Sequence, residues 1–230
     1  MDIHKPKPWH GLREFLKEYL IIVAGIATAL AGEQTVEWLH WRHEVSETEH
    51  ALKSELGRNL SAWEFRLSED DCVRVRIADL ERWRDGWIGG KGRALTGAIG
   101  APIAFNYFTD SWEVAQSGQV AAHIPLERRM LYAKAYALFR QTQADGERDR
   151  DSWRSLRDFN GATSLDGHDL MRLNGLISQL KGFESGLANN LSVAQRRAAL
   201  LGVVREPLEG LSQAQRDTAR AAMCKSVLPA

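Results

Sequence analysis

From Tyr19 to Gly32 the chain reads YLIIVAGIATALAG, fourteen residues without a charge, bracketed by Lys17-Glu18 and by Glu33. Such a run has three destinations: a membrane anchor, a cleaved secretory signal, or a buried helix. As an α-helix it covers about 21 Å, short of the ~30 Å hydrocarbon layer of a bilayer. Its flanks lengthen it. Leu12, Phe15 and Leu16 extend the apolar surface upstream, Val36 and Leu39 extend it downstream, and Lys17 can snorkel. Trp9 precedes the run, and Trp38 and Trp41 follow it. A helix from Trp9 to Trp38 spans about 43 Å, close to the spacing of the two aromatic belts of a membrane. No turn cluster interrupts residues 11–56. The preferred reading is therefore an uncleaved transmembrane helix over 19–39. Ala29-Leu30-Ala31 before Gly32 also fits a signal cleavage site, although Glu14 and Glu18 stand where signals are normally basic.

Basic residues set the expected orientation. Lys5, Lys7, Arg13 and Lys17 precede the run, whereas residues 33–52 hold only Arg42. The positive-inside rule then leaves 1–18 as a short cytoplasmic segment and exports the rest. For a bacterial chain this means a single pass of the inner membrane with a periplasmic C-terminal domain. Inside the run, Ala24, Thr28 and Gly32 repeat at the small-x-x-x-small spacing that lets membrane helices approach closely, or reflect chance in an Ala-rich stretch.

Beyond the run, every long segment has helical periodicity. Val45, Leu52, Leu56, Leu60, Trp63 and Leu67 form one stripe, so anchor and stalk read as a single helix over about 11–67. Ser68-Glu69-Asp70-Asp71 offers capping oxygens for a second helix bearing Val73, Ile77, Leu80 and Trp87. Residues 89–105 are glycine-rich and read as a flexible connector. Thr109 to Gly118 brackets a short helix around Trp112, and Pro125 opens another carrying Leu126, Met130, Leu131, Leu138 and Phe139. Leu170, Leu173, Ile177, Leu180, Leu187, Leu191, Ala194, Ala198 and Leu201 hold a seam of the bundle or coiled-coil type, broken only by Glu184. The predicted fold is all-α: a transmembrane helix continuing into a long stalk, then an antiparallel bundle of about four helices over 40–206. A tail with a short helix occupies 207–230.

Thirty basic residues balance thirty acidic ones, so no global field recommends nucleic acid as a partner. Glu37-x-x-His40 and Glu47-x-x-His50 repeat the pair that di-iron bundles use, with His43 between them. Both copies lie on one helix, so His40, His43, Glu47 and His50 would converge on a metal only in a homo-oligomer. A solvated polar face is favoured, and no cofactor is expected. Cys72 and Cys224 are the only thiols. In an exported domain they either pair or remain two separate buried cysteines. The glycine-rich segment has no P-loop spacing, and no G-x-S-x-G elbow or H-E-x-x-H site occurs.

The stretches REFLKEYLIIVAGIATALAGEQTVEWLHWRHEV (Arg13 to Val45), LKSELGRNL (Leu52 to Leu60) and SWEVAQSGQVAAHIPLERRMLYAKAY (Ser111 to Tyr136) together resemble a bacterial family of small single-span helical proteins. Trp112, Ser117-Gly118, Tyr132 and Tyr136 occupy the places where that family has an aromatic, a Ser-Gly pair and paired tyrosines. The resemblance covers roughly residues 9–200. It implies an N-terminal anchor and a helical domain, and it carries no reaction or catalytic residue. The expected function is accordingly non-enzymatic: a membrane-anchored interaction or structural module, in contact with the bilayer and an unidentified protein partner, with self-association through the membrane helix and stalk. A helical-bundle metalloprotein and a ligand sensor working through a membrane partner are the alternatives.

Overall fold

The computed structural model describes residues 11–208, 210 and 212–229; Trp9 lies outside the described residues. Seven α-helices and one 3-10 turn make up the described chain, with no strand among these residues. The chain divides into two compact units, Met1–Glu47 and Thr48–Ala230.

Helix α1 (Leu12–Ser68) is uninterrupted over 57 residues, as the absence of any breaker predicts. In the first unit its apolar side chains are exposed. Tyr19, Leu20, Ile21, Ile22 and Val23 are all more than 40% accessible in succession, so every face of that turn is apolar and open. The Thr28 and Thr35 hydroxyls donate to the carbonyls of Ala24 and Ala31, at 2.8 and 2.7 Å. Each hydroxyl is thus satisfied inside its own helix, as an apolar solvent demands. One helix among the described residues is long and apolar enough to cross a membrane, and it is this one.

In the second unit α1 changes character. Leu52, Leu56, Leu60 and Trp63, members of the stripe expected along the stalk, are fully buried, and this part of α1 is a core helix of the domain. Helix α2 (Asp70–Ile88) follows after Glu69 alone, whose dihedrals are helical. None of the expected capping oxygens caps it. Without Gly or Pro at 68–71 the chain continues forward instead of reversing. Short α3 (Asp110–Ser117) and α4 (Val120–His123) lead into α5 (Leu126–Leu156), and α6 (Gly167–Leu200) returns along it. Ser152 bonds to Gln179 and Arg197 bonds to the Lys134 carbonyl, which makes α5 and α6 antiparallel. Gln195 meets Glu64 near the end of α1, and Asn174 meets Arg84 on α2. Both α1 and α2 therefore run opposite to α6, one after the other.

The glycine-rich segment is pinned rather than loose. Asn160 accepts from the Ile99 amide, Glu69 from Ile103, Gln143 from Tyr107, and Asn59 both accepts from and donates to Phe108. Polar side chains on the helices and at their ends supply the partners that a backbone without secondary structure requires. Glu55 similarly accepts from the Ser111 amide in the first turn of α3, where the helix dipole favours a carboxylate.

Helix α7 (Gln213–Cys224), the short helix expected within 207–230, packs on α2 in the second unit. The Cys72 and Cys224 sulfurs stand at bonding distance, with Cα atoms 4.4 Å apart. One turn along α2, the buried Arg76 guanidinium donates to five carbonyls: Ala98, Ile99, Ala222, Met223 and Lys225. Asp79 then accepts from the Ser226 hydroxyl and the Val227 amide. Arg76→Lys is expected to destabilise the protein by about 2 kcal/mol, because an ammonium cannot reach both sets of carbonyls from one position. Denaturant unfolding measures this, and a loss below about 0.5 kcal/mol would show that the fan of contacts contributes little net free energy.

Candidate functional site

Two apolar clusters fill the second unit. Toward α2, Val73, Ile77, Leu80, Trp83, Trp153, Leu156, Phe159, Leu173, Ile177 and Leu180 pack together. Toward the start of the unit, Trp63 meets Phe139 at 5.5 Å and Trp112 stacks on Tyr136 at 5.8 Å. A layer of charge lies between them along the helices. Arg66 of α1 pairs closely with Glu184 of α6 and stands 4.0 Å from Asp149 of α5. All three are less than a tenth exposed. Glu184, the one break in the α6 seam, is thus the residue that receives the buried arginine.

One arginine serves two carboxylates here, and a third, Asp70, lies beside Glu184. Burial, the largest influence, raises Glu184 to about 7 and Asp149 to about 6, while Arg66 pulls both down. Asp70 adds a further upward push on Glu184. At neutral pH Glu184 therefore keeps part of its proton, while Asp149, the lower of the two, is mostly ionised.

Packing is loose at the same level. A cleft of about 540 Å³ opens between α5 and α6, with Asp149, Ser152, Gln179, Phe183 and Trp63 on its walls. Gly182 and Gly186 also line it, and at each the place of a missing Cβ has no atom within 4 Å. A smaller cleft of about 340 Å³ between α2 and α6 is lined by Asp70, Arg74, Lys181 and Glu184. The charge layer thus has an opening on two sides.

The sites expected from sequence lie elsewhere. His40, His43, Glu47 and His50 are all exposed on α1. Among the described residues, a group whose ligand atoms lie within 4.8 Å of one another is Asp166, His168 and Asp169. Asp166 and Asp169 are already engaged as the reciprocal cap of α6. Ala24, Thr28 and Gly32 are exposed along the first unit of α1. Trp38 is exposed with the Arg42 guanidinium 5.2 Å from its ring centre, and the Trp41 indole donates to Glu37 at 3.4 Å. Sequence reading missed the cleft because no single segment contains it. Its signal was a carboxylate at a core register of α6, two residues from a glycine on either side.

No protein-family model, curated protein or solved structure matches the chain.

Proposed function

We propose that this protein is a membrane-anchored helical interaction or structural module, and not an enzyme. Residues 19–39 cross the inner membrane of a bacterium once, with the N-terminus cytoplasmic and the second unit periplasmic. The observation that carries this reading is the unbroken succession of exposed apolar residues Tyr19–Val23 on a helix whose hydroxyls are internally satisfied. Water would disfavour that surface on every face, and lipid would not. The excess of basic residues before the run supports the orientation. The resemblance to single-span bacterial proteins points the same way. Ala24, Thr28 and Gly32 provide a face for self-association in lipid, and the partner on the exported side is a protein.

The intact chain is expected to remain with membranes after alkaline carbonate extraction, and a C-terminal alkaline phosphatase fusion is expected to be active. Substituting Ile22→Arg and Val23→Arg together adds about 5–7 kcal/mol to insertion and moves the chain to the soluble or degraded fraction. Release of the unmodified full-length chain by carbonate sinks the proposal, as does a mature N-terminus at Gly32. A second reading, a ligand sensor acting through a membrane partner, draws its support from the open cleft beside buried titratable groups.

A further inference from the structure

We infer that the cleft between α5 and α6 binds a small organic cation, with Asp149 as its anchoring carboxylate and the Leu176 and Phe183 side chains as its apolar walls. The inference is independent of membrane attachment.

Size and shape come first. About 540 Å³ lies within the range of small-molecule sites, which combine an apolar lining with a few convergent polar groups. Thr142, Ser152, Gln179 and Asn190 supply the neutral polar groups here. The opening is built in. Glycine is the least favourable helix residue after proline, yet two stand one turn apart on α6 with open space where side chains would be.

Charge selects the ligand class. Three aspartates and one arginine line the cleft. Asp145 is matched by Arg148 at 2.5 Å and Asp151 by Arg154 at 2.6 Å, both at the exposed surface. Asp149 has no ion pair that close: Arg66 and Arg150 both favour its charge and the Trp153 indole faces it, but Arg66 stands 4.0 Å away. Asp149 is 7% exposed, its Oδ1 lacks a well-formed hydrogen bond, and its nearest cation, Arg66, is held more closely by Glu184. A buried carboxylate sharing its nearest cation is under-neutralised, and a ligand ammonium or guanidinium supplies the missing charge with directed hydrogen bonds. An anion would meet the same surplus with the wrong sign. An aromatic wall suits a cation carrying an apolar body, and Phe183 already has the Arg66 guanidinium 5.9 Å from its ring centre.

Three probes of one shape test this in the full-length protein in lipid nanodiscs: tyramine, neutral 4-ethylphenol and anionic 4-hydroxyphenylacetate. Tryptophan fluorescence and calorimetry report binding. Tyramine is expected to bind one to one and about tenfold or more tighter than 4-ethylphenol, as a charge-assisted bond to a desolvated carboxylate implies. Asp149→Asn is expected to erase that preference. Gly186→Leu keeps every charge and favours the helix, so it is expected to abolish tyramine binding without lowering the melting temperature; Gly182→Leu repeats the test from the adjacent turn. Equal or tighter binding of the neutral or anionic probe overturns the inference. So does tyramine binding that survives both leucine substitutions, or the absence of saturable tyramine binding at millimolar concentration.

Discussion

Replacing both Cys72 and Cys224 with alanine is expected to lower the stability of the second unit by up to about 5 kcal/mol, the chain-entropy value for a loop of this length. The two residues are 152 apart in sequence, so the link removes conformational freedom from most of the unfolded chain. Cys72 is buried in the folded protein, which makes alanine the gentler replacement there. Denaturant unfolding of the oxidised wild type against the double variant measures the effect. A difference below about 1 kcal/mol would mean that the Arg76 and Asp79 contacts alone hold the C-terminal segment. Those contacts sit one and two turns from Cys72, so an Arg76 substitution is expected to couple to the cysteine change rather than add to it.

The second large effect is a dependence of stability on pH that runs against ordinary acid denaturation. Glu184 is raised from 4.5 to about 7 and Asp149 from 3.8 to about 6, in both cases first by burial. The folded chain thus holds protons that the unfolded chain releases near pH 4. Stability from this source is fully present below pH 4 and is lost as pH rises through 6 and 7. A carboxyl that binds its proton tenfold more tightly in the folded chain contributes about 1.4 kcal/mol, so these two groups weaken the fold by a few kcal/mol between pH 4 and pH 8. Glu64, held below its ordinary value by Arg205 and Gln195 against the opposing influence of burial, counters this weakly from a more exposed position. Arg66→Met sharpens the effect. At pH 8 it leaves two buried carboxylates without their shared cation and is expected to cost about 3–5 kcal/mol. At pH 5 both can take up protons, and most of that loss is expected to vanish. Urea melts of wild type and variant at the two pH values decide the matter. An equal loss at both would show that the arginine acts through packing and not through charge.

The long helices were legible because their signals are local. The unbroken pattern from residue 11 onward matches α1, Gly118 ends α3, and Gly202 follows the last turn of α6. Glu184 stood out on the seam, but its meaning did not, since Arg66 lies 118 residues earlier. The course of residues 89–109 was hidden for the same reason. Its order comes from Asn59, Glu69, Gln143 and Asn160, none of which belongs to the segment. Helix α4 escaped because it is one turn long and begins after Gln119, a non-glycine residue with φ of 65°. The continuation from α1 into α2 was obscured by a run of good capping residues that tertiary contacts put to other uses: Glu69 serves the Ile103 amide, and Asp70 pairs with Arg74.

Residues 222–228 are the last part of the second unit to leave the ribosome, yet they fill the grip of Arg76 and Asp79 on a helix made some 150 residues earlier. At about 5–20 residues per second, α2 waits roughly 8–30 s for that closure. Until then its guanidinium has carbonyls on one side only. The nascent chain therefore lacks this closure through most of the synthesis of the second unit, and α2 gains its second set of acceptors only when residues 222–228 arrive.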